Sequence, residues 1–380
     1  MQLSRNVEQI QISGIRRFFN KVAAYPEAIS LTVGQPDFQV PDRVKEAMIR
    51  ALEQNKTGYT ANVGIPELRE AISQMLQEDQ IHYSPDEICI TVGGSEGIFN
   101  VFMAILNPGD RVLVPSIAYP AYESCTKLMG GAVVEYPLLD DFSIDFGALE
   151  ALIEREQPKA IVVSYPSNPT GDVLDQEGLK RLSTLLENRE IFIISDEMYR
   201  SILYQGDYYS LAQVAALRSR VILVGGFSKI FSMTGLRIGY VCASSEILAG
   251  IVKVHQYNVS CAPSIVQWGA YEGVLHCRDE AAAMRDEFQR RRDYVHRRLV
   301  AIGMQVKLPG GAFYMFPSVK SFGMTSEAFC EGLLQEAQVA MVPGSSFGTG
   351  GEGYIRLSYA YGMDQLAEGL NRLEGWIKGK

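Results

Sequence analysis

VILVGGFSKIFSMTGLRIGY (221–240) begins as an almost unbroken apolar run, turns through Gly225, Gly226 and Ser228, and presents Lys229, with Arg237 eight residues beyond. A run that is apolar throughout, not only at every second position, is what a strand covered on both faces requires. The same texture extends outward on either side. ICITV (88–92), RVLVP (111–115), AVVEY (132–136), AIVVSY (160–165), IFIIS (191–195) and IGYVCA (238–243) are short apolar runs separated by amphipathic segments long enough for helical crossovers. The expected fold is α/β with a large, mostly parallel sheet. Ligands of such sheets sit beyond the carboxyl ends of the strands, so the residues just after each run are where chemistry is to be sought.

The texture changes after about residue 275. DEAAAMRDEFQRRRDYVHRR (279–298) reads as a long charged amphipathic helix, and AFYMF (312–316), VAMV (339–342) and YIRLSYA (354–360) read as strands of a second, smaller α+β domain. Periodicity alone does not place the N-terminal segment.

Composition narrows the function. Of 380 residues, 47% are hydrophobic and 21% charged, a folded globular balance. The formal net charge of −9 argues against non-specific attraction to nucleic acid or an anionic membrane and favours small metabolites as partners. Cys89, Cys125, Cys242, Cys261, Cys277 and Cys330 lack CxxC spacing and lie mostly in apolar runs, so they read as reduced buried thiols and no metal site is expected. MQLSRNVEQIQISGIRRFFNK (1–21) has no apolar core of signal-peptide length, and no later run is long enough for a membrane span. The expected location is the cytoplasm.

Four strand exits carry polar groups of complementary chemistry. A lysine beside a buried strand end is partly desolvated, which lowers its pKa and frees its amine to attack a carbonyl; otherwise Lys229 and Arg237 are ordinary surface cations. After ICITV, Gly93, Gly94, Ser95, Glu96 and Gly97 feed an apolar segment, and a glycine turn at a helix N-terminus offers free N–H groups to a phosphate. The same residues satisfy G-x-S-x-G, so a hydrolase with Ser95 as nucleophile and His255, His276 or His296 as base is a rival. No HGGG-like oxyanion segment accompanies it, and that reading leaves the other exits unexplained. After AIVVSY, the turn PSNPTG (166–171) offers the Asn168 amide to a ligand oxygen, or to its own backbone. After IFIIS comes Asp196, either the cap of a following helix or a carboxylate suited to a protonated ring nitrogen. Tyr199 shares its face if a helical turn follows.

Together these residues resemble the fold-type I, class I aminotransferases that use pyridoxal 5′-phosphate. The likeness runs from about Gly34 to Tyr359, and its ordered set N-P-T-G, D-E-x-Y, S-K and K-x7-R is highly specific. The resemblance implies a large cofactor-binding domain over 36–275 and a small domain made of 276–380 with the N-terminal segment 1–35. It implies Lys229 as the Schiff-base lysine, Asp196 as partner of the pyridinium nitrogen, and Asn168 and Tyr199 as partners of the phenolic oxygen. Gly94, Ser95 and Arg237 resemble the phosphate grip, and Tyr119 in PSIAYPAY (115–122) the aromatic stacked on the ring. Tyr59 resembles the tyrosine that reaches the phosphate from the partner subunit, which implies a homodimer with shared active sites. Arg356 matches the clamp on the substrate α-carboxylate, a bidentate task suited to guanidinium, and Gly34 a backbone contact to the same group. One departure is Gly226, where many relatives carry a phosphate-binding serine; Ser228 or a water is the expected substitute.

SGIRRF (13–18), KVHQYNVSCA (253–262), GAFYMFPS (311–318) and VPGSSFGTGGEGYIRLS (342–358) look closest to the N-acetyl-L,L-diaminopimelate aminotransferases of lysine biosynthesis. Arg16 or Arg17 would then meet a distal carboxylate, unless both are solvated helix residues. An aspartate or aromatic aminotransferase and a pyridoxal-phosphate carbon–sulfur lyase are the nearby alternatives. A non-catalytic regulator would bring a DNA-binding module, which the segment before Ser13 does not resemble.

Overall fold

The computed structural model describes residues 1–379. Seven strands form the main sheet: β2 (Ile88–Thr91), β3 (Arg111–Pro115), β4 (Ala132–Tyr136), β5 (Ala160–Ser164), β6 (Phe192–Asp196), β7 (Val221–Gly226) and β8 (Gly239–Cys242). Their order is β2-β8-β7-β6-β5-β3-β4. β4, β3, β5, β6 and β7 pair in parallel, whereas β8 pairs antiparallel with both β7 and β2. The reversal at β8 follows from a connection, 227–238, spent on the turn that carries Lys229 and Arg237; a chain that doubles back so soon pairs antiparallel.

Both sheet faces are buried, as the unbroken apolar runs predict. Ile161 and Val163, Ile193, and Val221 and Leu223 pack into one core. Val162, Ile194, and Ile222 and Val224 pack into another with Ile98, Phe102 and Tyr122 of the helices Gly93–Ile105 and Ala121–Leu128. The period of two assigns each side chain to its face, so Ser164 and Asp196, in step with Val162 and Ile194, belong to the face of Tyr122.

A separate core joins Phe18 and Leu31 to Phe288, Phe313, Leu357 and Leu370. Here β1 (Ile29–Ser30) pairs in parallel with β10 (Val339–Ala340), while β12 (Ile355–Ser358) lies between β9 (Tyr314–Met315) and β11 (Val342–Pro343), antiparallel to both. The strands expected over 312–316 and 354–360 are shorter than their apolar runs; before β9, Ala312 is left-handed at φ +55°, while beyond β12 a single bond from Tyr359 N–H to the Phe313 carbonyl at 3.0 Å continues the contact. The long helix Arg278–Ala301 buries Arg291 and Arg292, which donate to Asp37 Oδ1 at 2.7 Å and to the Pro309 carbonyl at 3.0 Å. Buried guanidinium requires such partners. No described helix is long and apolar enough to cross a membrane.

Gly239 lets β8 pack directly against the backbone of Gly93, Gly94 and Gly225. A Cβ there would lie 2.8 Å from Gly94 N, 2.9 Å from Gly225 O and 2.9 Å from the Gly93 carbonyl carbon, all backbone atoms. Gly239→Ala is therefore expected to cost about 1–3 kcal/mol. Urea denaturation would read this as a lower midpoint at unchanged slope, and an unchanged midpoint would refute the packing argument.

Candidate active site

The carboxyl ends of β2, β5, β6 and β7 open on a cavity of about 340 Å³ whose lining includes Arg16, Gly34, Gly94, Ser95, Tyr119, Asn168, Asp196, Tyr199, Ser228, Lys229, Arg237 and Arg356. Residues spread over most of the sequence thus meet in one place. Of the predicted site residues, only Tyr59 is absent from it: Tyr59 is 91% exposed and lies beside a second, apolar cavity with Met48, Pro263 and Ile265. Of the alternatives Arg16 and Arg17, it is Arg16 that lines the cavity.

The helix Gly93–Ile105 starts at the cavity wall. Gly93 has φ +74°, and a Cβ on it would fall 2.5 Å from Arg237 Nη2, so the turn needs glycine for both its conformation and the approach of the guanidinium. Arg237 itself is left-handed at φ +54°, with Nη1 donating to the Thr234 carbonyl at 2.9 Å. A helix N-terminus beside a guanidinium forms an anion site. Ser95 stands in the first turn, beside the Tyr119 hydroxyl. His255, one of the three candidate bases of the hydrolase reading, is fully buried and pairs through Nδ1 with Glu96 Oε1 at 3.0 Å. Among the described residues, neither it nor His276 nor His296 lines the cavity that holds Ser95.

Asp196 is the last residue of β6, and no helix follows, so the helix-cap alternative is corrected: Oδ1 accepts the Met198 N–H at 3.1 Å within a tight turn. Oδ2 accepts the Tyr122 hydroxyl at 2.6 Å. Burial raises the Asp196 carboxyl above the usual range, opposed by the Tyr122 hydroxyl, the Met198 N–H and the Lys229 charge. Tyr199 reaches the cavity from the same turn, not from a helical face, and its hydroxyl lies 2.7 Å from that of Tyr314.

Lys229 Nζ donates to the Gly34 carbonyl at 2.5 Å. Burial, reinforced by the charges of Arg356 and Arg237 and opposed by Asp196, pushes its amine down to about 8. That gives the free amine a substantial population near neutrality, as a nucleophile or proton carrier requires. Arg356 is 2% exposed, and Nη1 donates to Asn168 Oδ1 at 2.9 Å while Nη2 donates to the Thr32 carbonyl at 2.6 Å. The first bond orients the Asn168 amide so that its Nδ2 donor is left for a ligand. Arg356 Nε is buried with no hydrogen-bond partner among the described residues, a guanidinium donor still to be satisfied. Ser228, beside Gly226, lines the cavity, whereas Gly226 faces an adjoining one.

Tyr122, Ser164, Met198 and Tyr314 also line the site. Ser164 and Tyr314 sit in apolar runs that read as core, and the sheet's face parity marks Ser164 as a neighbour of Asp196; Tyr122 and Met198 carry no such signal in the sequence.

The description "Aminotransferase class I and II" covers a family whose model matches residues 26–373. The chain is 47% identical to a probable N-acetyl-LL-diaminopimelate aminotransferase of Bacillus subtilis, over all of this chain and 96% of that one. It is 38% identical to an aspartate aminotransferase of Pyrococcus abyssi, over 100% and 99% of the two chains. The solved structure of the Thermus thermophilus aspartate aminotransferase with maleate superposes with a TM-score of 0.94 at 35% identity, covering 99% of this chain and 100% of the other. This chain belongs to the class I and II aminotransferases, enzymes that use pyridoxal 5′-phosphate to move amino groups between amino and 2-oxo acids.

Proposed function

We propose that Lys229, Asp196 and Tyr199 are the catalytic residues, that Gly94, Ser95, Tyr119, Asn168 and Arg237 hold the cofactor with Tyr59 of the partner subunit, and that Gly34, Asn168, Arg356 and Arg16 hold the substrate. The observation that carries this reading is the convergence of a low-pKa amine, a buried carboxylate, an anion-binding helix terminus and an unsatisfied guanidinium in one cavity. The residues fit the cofactor. A Cβ on Gly94 would lie 2.3 Å from Met198 Cε, so glycine here lets Met198 pack against the turn whose N–H groups would meet a phosphate. When bound, the cofactor supplies an aldehyde that condenses with amines and a conjugated ring that takes up the electron pair left by a departing α-proton.

The chain's own residues do the rest. Arg356 grips the α-carboxylate and orients the Cα–H bond, with the Asn168 amide beside it. Lys229, freed by the incoming substrate amine, would take the α-proton on Nζ as general base and give it back as general acid on the far side of the transferred nitrogen, a shuttle suited to a pKa of about 8. Asp196 would keep a proton on the ring nitrogen, the Tyr199 hydroxyl would donate to the phenolic oxygen, and Tyr119 would cover the ring face.

For the substrate we propose N-acetyl-L,L-diaminopimelate, with glutamate and 2-oxoglutarate as the exchanging pair, in lysine biosynthesis. The Bacillus relative supports it, as does Arg16, which lines the cavity that holds Arg356 and offers a second cation to a substrate with two negative ends. Aspartate is the second reading, favoured by the Pyrococcus relative and the maleate-bound structure. Purified enzyme is expected to transfer the amino group of N-acetyl-L,L-diaminopimelate to 2-oxoglutarate without releasing ammonia. Robust activity on aspartate or aromatic amino acids without it would overturn this pathway assignment, and release of ammonia and pyruvate would favour a lyase. Arg16→Ala is expected to lower kcat/KM for dicarboxylate substrates by roughly 10- to 100-fold while sparing alanine, since only the former lose a charge-assisted contact. Equal losses would make Arg16 structural.

We further propose a cytoplasmic homodimer, since Tyr59 stands 91% exposed beside an apolar hollow instead of in its own chain's cavity. The proposed division is 1–35 with 276–380 in a small domain and 36–275 in a large one. The mixed core of Phe18 and Leu31 with Phe313 and Leu357 supports it.

A further inference from the structure

Asp196 is buried at the end of β6, where an ionised carboxylate is costly unless donors surround it. One of its two donors is the backbone Met198 N–H. The other comes from a residue outside the proposed machinery. Tyr122, in the helix Ala121–Leu128, is 1% exposed, and its hydroxyl donates to Asp196 Oδ2 at 2.6 Å, a length typical of an O–H donor on a charged oxygen. Its ring meets that of Tyr119 edge to face, with centroids 5.8 Å apart and planes at 84°. One side chain thus braces both the proposed ring-face contact and the proposed ring-nitrogen contact.

The Ser164 hydroxyl, at the end of β5, lies beside the Tyr122 oxygen, and because the single Tyr122 hydroxyl proton goes to Asp196 Oδ2, a bond between the two hydroxyls runs from Ser164 to Tyr122. A phenol that receives one bond and gives another is a stronger donor than an isolated one. The titratable groups facing Asp196 are Tyr119 and Tyr122 on one side, Tyr199 on its own turn, and Lys229 from the segment after β7. Among them Lys229 is the cation. Its amine is committed to substrate chemistry, so the Tyr122 hydroxyl is the side-chain contact left to favour the charged carboxylate throughout turnover.

We propose that Tyr122, seconded by Ser164, is a positioning residue that holds Asp196 ionised and so keeps the proton on the cofactor ring nitrogen rather than on the carboxyl. This rests on the reading of Asp196 given above. Removing the hydroxyl leaves the carboxyl more basic, and the proton it shares with the ring nitrogen moves to the carboxyl. The ring then accepts electrons less well, so kcat falls while the contacts that set KM are untouched.

The test is Tyr122→Phe, which deletes only the hydroxyl, loaded with pyridoxal 5′-phosphate labelled with 15N in the ring. The nitrogen resonance is expected to move from its protonated toward its unprotonated position, with kcat down roughly 10- to 100-fold and KM within about twofold. Ser164→Ala should shift the resonance the same way by a smaller amount, and it carries the test alone if Tyr122→Phe does not fold. Asp196→Ala separates the two readings. A ring nitrogen still protonated in Asp196→Ala overturns the assignment of Asp196 itself. Loss of the proton in Asp196→Ala, with a wild-type resonance in folded Tyr122→Phe, overturns the role of Tyr122 alone.

Discussion

Lys229→Ala enzyme loaded with pyridoxal 5′-phosphate is expected to turn over at least about a thousandfold more slowly than wild type, because one amine serves as both covalent anchor and proton carrier. No neighbour can replace it. Arg237 and Arg356 are guanidinium groups and offer no amine for Schiff-base chemistry, and the low lysine pKa of about 8 comes from burial and from those two charges. The variant should still bind cofactor, since the helix terminus and Arg237 are unchanged. Borohydride reduction of the wild type followed by peptide mapping should place the label on Lys229, and a label on any other lysine would sink the assignment. The rate of covalent cofactor loading by the wild type should also rise with pH through about 8, as the amine loses its proton. A loading rate flat across that range would contradict the depressed pKa.

Asp196→Ala is expected to lose about 10²–10³-fold in kcat, with a much smaller loss of cofactor affinity. The carboxylate matters most when negative charge develops on the ring, whereas ground-state binding rests on the phosphate site and on the lysine. Near wild-type turnover by cofactor-saturated Asp196→Ala would contradict its role. The effect should exceed that of Tyr122→Phe, since one variant removes the carboxylate and the other removes a single bond to it.

Much of this was legible in the residues. Runs such as AIVVSY and VILVGG announce strands buried on both faces, because apolar side chains at odd and even positions alike have no other place to go. Glycines and a lysine at strand exits then point to the correct end of the sheet, because strands of a parallel sheet all present their carboxyl ends on one side. The direction of β8 was less legible. Its residues read as another buried strand, and the short connection from β7 decides the reversal.

The order of motifs along the chain determined the family, the cofactor and the identities of Lys229, Asp196, Asn168 and Arg356 as candidates, since those residue types at those exits answer to one chemistry. Tertiary structure alone decided how they are held. Arg356 is 188 residues from Asn168, and only the docking of β12 over the large sheet turns the Asn168 amide so that Nδ2 is left for a ligand. Tyr122 is 74 residues from Asp196, and nothing in PSIAYPAY distinguishes it from a core tyrosine. Local sequence sets which way a side chain faces, through the period of its own element. Which group it meets depends on packing between elements distant in the chain, and hydrogen bonds of a few ångströms are set there.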